Sequence, residues 1–269
     1  MRPGGRLCAG LGGVVLVAVA AVSGCQETGG PRPDVEDSGI TIRYETPAGS
    51  DRDDAAFLRR RKVVEEAVSA VAALVEVDQR ISVGVVSCDG EGSSYDPELT
   101  HVEICYDEVS ETRELFRRAE PERAEPQRAD DNVVAVMRET LFHEMAHALV
   151  DTLELRVHGR EEDFADQFAA LMLLRGSVTG EQQLLAAAEA WHLSDVTNED
   201  VDDEPDEHSS DGRRAVNHRC YVYGAAPGRH RDLVSPDALP AERAKGCGTE
   251  WNAVRASWMT ALAPHLQKG

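Results

Sequence analysis

The chain has 269 residues, of which 42% are hydrophobic and 29% charged, close to the averages of folded globular proteins. That balance excludes wholesale disorder, a collagen-like fibre and a multi-span membrane protein. A net charge of −21 leaves no basic footprint for phosphate, so nucleic acid is not an expected partner.

At the N-terminus Arg2 and Arg6 precede a short apolar run from Leu11 to Val22, and Val22-Ser23-Gly24-Cys25 has the small-residue shape of a cleavage site. The run is too short for a permanent spanning helix. These residues resemble a bacterial lipobox, which implies cleavage after Gly24, lipidation of Cys25 and attachment to the extracytoplasmic face of the cell membrane. Residues 1–25 are thus expected to be a lipoprotein signal peptide, 26–52 a tether and 53–269 the folded domain. With Cys8 removed and Cys25 lipidated, Cys88, Cys105, Cys220 and Cys247 are left to oxidise outside the cytoplasm. Four cysteines allow three pairings, and the shorter loops favour Cys88–Cys105 and Cys220–Cys247.

From about 53 to 77, Phe57, Val63, Val64, Val68, Val71 and Leu74 recur at helical spacing and predict one amphipathic helix. Ile81–Ser87 and His101–Tyr106 are β-prone runs separated by a Gly/Ser/Asp/Pro-rich stretch, which reads as a long hairpin. Residues 117–131 read as a surface loop, after which Asp131 or Asn132 caps a helix running to about Leu153. A helix over 161–175 opens with Glu161, Glu162 and Asp163, acids that suit a helix N-terminus. Further helices are expected near 181–192, 212–223 and 249–263. Between them, Asp195 to Asp211 holds nine acids and no Lys or Arg; its spacing does not match an EF-hand, so it reads as a solvated excursion.

His143-Glu144-Met145-Ala146-His147 carries the chemistry. Two histidines at i, i+4 share one helical face, where both imidazoles can reach one zinc, and Glu144 is positioned beside a metal-bound water as general base. A catalytic zinc needs a third protein ligand. Position 153 is Leu153 rather than the histidine a metzincin would place there. Glu162 and Asp166, also i, i+4, lie on the next helix and resemble the gluzincin E-x-x-x-D pattern, which implies that Glu162 binds zinc and Asp166 orients a ligand histidine. Glu161 and His158 remain rival third ligands.

A wider resemblance rests on Cys88…Tyr95-Asp96-Pro97…Ile104-Cys105-Tyr106, HEMAHALVD, GREEDFADQFAA, DEHSSD, Asn217…Cys220-Tyr221-Val222-Tyr223-Gly224 and Leu239-Pro240-Ala241-Glu242-Arg243-Ala244…Cys247. Over roughly 80–270 the chain resembles a family of bacterial metallopeptidases, although Ser93-Ser94 and Ala215-Val216 depart from its pattern. The resemblance implies zinc-dependent hydrolysis of peptide or protein substrates, with His208 nominated as a second catalytic donor and Tyr221 or Tyr223 as alternatives. It also implies an α+β, zincin-like fold: a small sheet packed on the active-site helix and a mostly helical C-terminal half. His101–Tyr106 is the expected substrate-binding edge. A non-catalytic scaffold lipoprotein of the same fold is the alternative, against which Glu144 argues, since a structural zinc needs no general base.

Overall fold

The computed structural model describes residues 39–119, 126–157, 159–175, 177–197 and 209–268. The lipobox with Cys25 lies outside these residues, as do His158, His208 and most of the acidic stretch.

Strand β1 (Ile40–Tyr44) leads into two helices, α1 (Arg52–Arg61) and α2 (Val63–Ala72), then β2 (Ile81–Val86), β3 (Ser94–Asp96) and β4 (His101–Cys105). Six helices follow among the described residues: α3 (Glu108–Ala119), α4 (Pro126–Thr152), α5 (Glu161–Leu174), α6 (Val178–Thr197), α7 (Asp211–Ala225) and α8 (Ala241–Leu262). The fold is α+β, with one small sheet and a mostly helical C-terminal half, as expected. None of the described helices is long and apolar enough to cross a membrane.

The sheet order is β1-β2-β4-β3. β1 and β2 are parallel, with Ile40 opposite Ile81, and β2 and β4 are parallel, with Val83 opposite Val102. This corrects the expected hairpin: the connection after β2 carries β3, which pairs antiparallel to β4 with Tyr95 opposite Val102. Parallel neighbours need such a crossover, and here a short strand and a turn make it. β4 is therefore interior, and the edges are β1 and β3. The folded body also begins earlier than residue 53, because Ile40 is fully buried in β1.

The single helix expected over 53–77 is broken at Lys62, which adopts a left-handed conformation (φ 50°) and donates its N–H to the Arg59 carbonyl at the end of α1. The break lets α1 bury Ala55, Phe57 and Leu58, while α2 buries Val63, Val64, Ala67, Val68 and Val71. α4 starts at Pro126, inside the expected loop. Proline is well placed there, since the first turn of a helix has no intrahelical acceptor for its N–H groups.

α4 is the axis of the molecule. It packs against α2, α3, α5, α6, β3 and β4, so Val133, Met137, Leu141, Val134, Met145, Leu149, Phe142 and Ala146 form one broad buried arc that covers more than half of its circumference. Disulfides join Cys88 to Cys105 and Cys220 to Cys247. The second pins α7 to α8, where Gly224 is required: a Cβ there would lie 2.3 Å from the Cys247 carbonyl oxygen. The C-terminal segment folds back on α2. Glu76 N–H donates to the His265 carbonyl (2.8 Å), Gln267 N–H to Leu74 (3.0 Å), and the Gln267 side-chain amide to Ala72 (3.0 Å).

Candidate metal centre

His143 and His147 stand one turn apart on α4, on the side that faces the first turn of α5. Burial of α4 on its other sides fixes where these two rings can point. α5 opens with three acids, of which Glu161 and Glu162, with Asp166 one turn later, meet the histidines.

The Nε2 atoms of His143 and His147 lie 3.2 Å apart. Glu162 closes the triangle, with Oε2 3.0 Å from His143 Nε2 and Oε1 3.3 Å from His147 Nε2. Each ring is held from behind: His143 Nδ1 lies 2.9 Å from Asp166 Oδ1, and His147 Nδ1 lies 3.0 Å from Glu161 Oε1. Donors bound tetrahedrally to zinc at about 2.0–2.1 Å lie about 3.3 Å from one another, so this triad already has the edge lengths a zinc ion wants. Two neutral nitrogens and one carboxylate suit zinc chemically as well.

The electrostatics point the same way. Burial opposes a charge on His143, but its hydrogen bonds to Asp166 and Glu162 win and lift the ring to about 10. The same contest, with Glu162 and Glu161 as partners, raises His147. A metal ion bound between these rings would displace the proton that the carboxylates hold there. Burial raises Glu144, while the neighbouring histidines pull it down. Asp166 is also buried, yet the Arg214 guanidinium and the His143 hydrogen bond hold it far below the usual carboxylate range.

Of the rival third ligands, Glu161 faces the outer nitrogen of His147 rather than the shared centre. Tyr221 is buried, its ring 5.9 Å from that of Trp251, and lines a cavity of about 540 Å³ with Asp163 and Gln167. Tyr223 packs against the Cys220–Cys247 cluster.

Two contributors carried no sequence signal. Arg214 on α7 forks onto Asp166, Nε to Oδ2 at 2.9 Å and a terminal nitrogen to Oδ1 at 2.5 Å. Glu108, at the start of α3, accepts from the Ser93 N–H (2.7 Å) and hydroxyl (2.9 Å), just ahead of β3. Burial pushes Glu108 up to about 7, the Ser93 hydrogen bonds oppose this, and repulsion from Glu144 adds to it. Arg214 follows the DEHSSD stretch but its distant partner is invisible in sequence, and Glu108 looks like any helix-opening acid.

A second set of metal-compatible groups, Glu139, Asp166 and His218, is wholly buried with its donor atoms within 4.8 Å of one another. Arg214 already occupies both oxygens of Asp166 there, so charge balance, not a metal, accounts for it.

A family model described as "Putative metallopeptidase" matches residues 44–262. No curated protein and no solved structure matches the chain.

Proposed function

The chain belongs to this metallopeptidase family, and on that premise we propose that it is a lipid-anchored, extracytoplasmic zinc peptidase of the HExxH type with His143, His147 and Glu162 as metal ligands. The observation that carries the reading is the convergence of both Nε2 atoms and the Glu162 carboxylate at 3.0–3.3 Å, each ring backed by a further carboxylate. Zinc bound there would lower the pKa of a water toward neutrality and polarise the scissile carbonyl.

Glu144 is the general base. It follows His143 directly, and burial keeps its carboxyl readier to hold a proton than an exposed glutamate. It takes the proton of the attacking water and returns it to the leaving amine. Asp166 and Glu161 fix which imidazole nitrogen is presented to the metal.

β3 replaces β4 as the edge on which an extended peptide would lie. It is an antiparallel edge strand packed near α4, and the Tyr95 hydroxyl ties it there by donating to Asp151 Oδ2 (2.6 Å). An edge of this kind offers unpaired backbone groups to a substrate chain. His208 is retained as the nominated second donor to the developing oxyanion, and the lipid anchor at Cys25 rests on the lipobox residues.

The test is zinc content and cleavage of a peptide library by wild type, Glu144→Gln and Glu162→Gln. About one zinc per chain and cleavage are expected of wild type. Glu144→Gln should keep the metal and lose activity by several orders of magnitude, whereas Glu162→Gln should lose the metal. A wild type without bound metal would overturn the reading, and one that binds zinc tightly and cleaves nothing would favour the scaffold alternative.

A further inference from the structure

Asp166 is buried within the helical half, and a buried carboxylate needs its lone pairs satisfied. His143 Nδ1 accounts for one, on Oδ1. The others go to Arg214, whose guanidinium reaches both oxygens at 2.9 and 2.5 Å. That fork is planar and rigid, so it sets the rotation of the carboxylate as well as its charge.

Arg214 is itself held. Its side chain is 8% exposed, and its guanidinium carbon lies 3.6 Å from the centre of the Trp191 ring on α6. Beyond it, Glu139 and His218 form a buried pair at 2.9 Å, which adds a second acid to the surroundings of the guanidinium. Rotating Asp166 would therefore break a bidentate bond and unseat an arginine packed against an indole. The metal motifs sit on α4 and α5, whereas Arg214, Trp191 and His218 come from α6 and α7, with only Glu139 from α4.

We propose that Arg214 is a positioning residue of the metal centre, whose fork on Asp166, packed against Trp191, fixes the carboxylate that aims His143 at the metal. The inference rests on the reading of His143 as a ligand. Groups that orient metal-bound histidines are commonly worth 10–100-fold in affinity.

The test uses purified full-length wild type, Arg214→Lys and Arg214→Gln, stripped of metal and titrated with zinc against a chromophoric chelator. Cobalt(II) is added in parallel to read its visible absorption bands. Arg214→Gln should bind zinc about 10–100-fold more weakly. Arg214→Lys should fall between it and wild type, because lysine keeps the charge but neither forks nor stacks as well. The cobalt bands should shift in both variants, since the His143 ring no longer approaches at a fixed angle. A merely structural arginine would lower the melting temperature of the metal-free protein and leave zinc affinity and cobalt bands unchanged. Folded variants that bind zinc within twofold of wild type would overturn the proposal while leaving the metal site intact. Failure of wild type itself to bind zinc would remove both. Should Arg214→Gln not fold, Arg214→Lys decides by the same two readouts.

Discussion

Replacing Glu108 with glutamine should make the protein less sensitive to rising pH. The carboxyl is held at about 7 against an ordinary 4.5 because burial disfavours its charged form and Glu144 repels it. A folded-state pKa above the unfolded one means that the native state keeps a proton which the unfolded chain releases. Stability therefore falls as pH rises from about 4.5 to about 7 and is level beyond. At 1.36 kcal/mol per pKa unit, the gap amounts to roughly 3 kcal/mol. Glutamine is uncharged throughout, and its carbonyl can still accept the Ser93 N–H. Urea unfolding of metal-free wild type and Glu108→Gln at pH 4.5 and pH 8 isolates the effect, since every other titrating group is common to both. The stability difference should move by about 2–3 kcal/mol in favour of the variant between the two pH values. A difference that is the same at both would refute the argument that burial of this carboxyl is a cost at neutral pH.

Trp258→Ala should cost about 3–5 kcal/mol in urea unfolding. Trp258 is fully buried, stacks on Phe164 with ring centroids 4.0 Å apart, meets the Phe168 ring at a tilt with centroids 4.6 Å apart, and donates its indole N–H to the Phe164 carbonyl. Both partners lie on α5, so unchanged stability would contradict this packing. Glu181, buried at the start of α6, is held below its ordinary pKa by hydrogen bonds from Arg229 and His230, against burial. A depressed folded-state pKa gives stability above the unfolded value that is lost as pH falls through the folded one. Glu181→Gln should thus be about 1–2 kcal/mol less stable than wild type at pH 7 and converge with it in acid, which thermal melts at pH 7 and pH 3 would check.

The readable parts of the sequence were those in which spacing maps directly onto geometry. His143 and His147, like Glu162 and Asp166, are one helical turn apart, and the structure brings both pairs to one place. The two disulfide pairings followed from loop length. Strand direction did not, because side chains alternate with the same period in parallel and antiparallel partners, so Ile81–Ser87 and His101–Tyr106 looked like a hairpin. α3 was hidden by its charge, since only Val109 and Thr112 are buried along it. The break at Lys62 left one faint trace: continuing the Leu58 face in an unbroken helix leads to Arg61, Lys62 and Glu65. Arg214 and Glu108 were unreadable for a different reason, as each acts through a partner from a distant segment, and no local pattern records such a partner.

The bonds between residues 265–267 and the end of α2 have a kinetic consequence. The Gln267 side chain spans 195 residues to Ala72 and 192 to Val75. Loop closure over such a span costs little more free energy than over a modest one, since the entropy grows only logarithmically. In time it costs more, because non-local pairings form late. A chain made from its N-terminus exposes the end of α2 throughout synthesis of the helices that carry His143, His147 and Glu162, and this contact closes only when residues 265–267 emerge. Until they do, the carbonyls of Ala72 and Leu74 lack these partners, so this seam is among the last parts of the described fold to close.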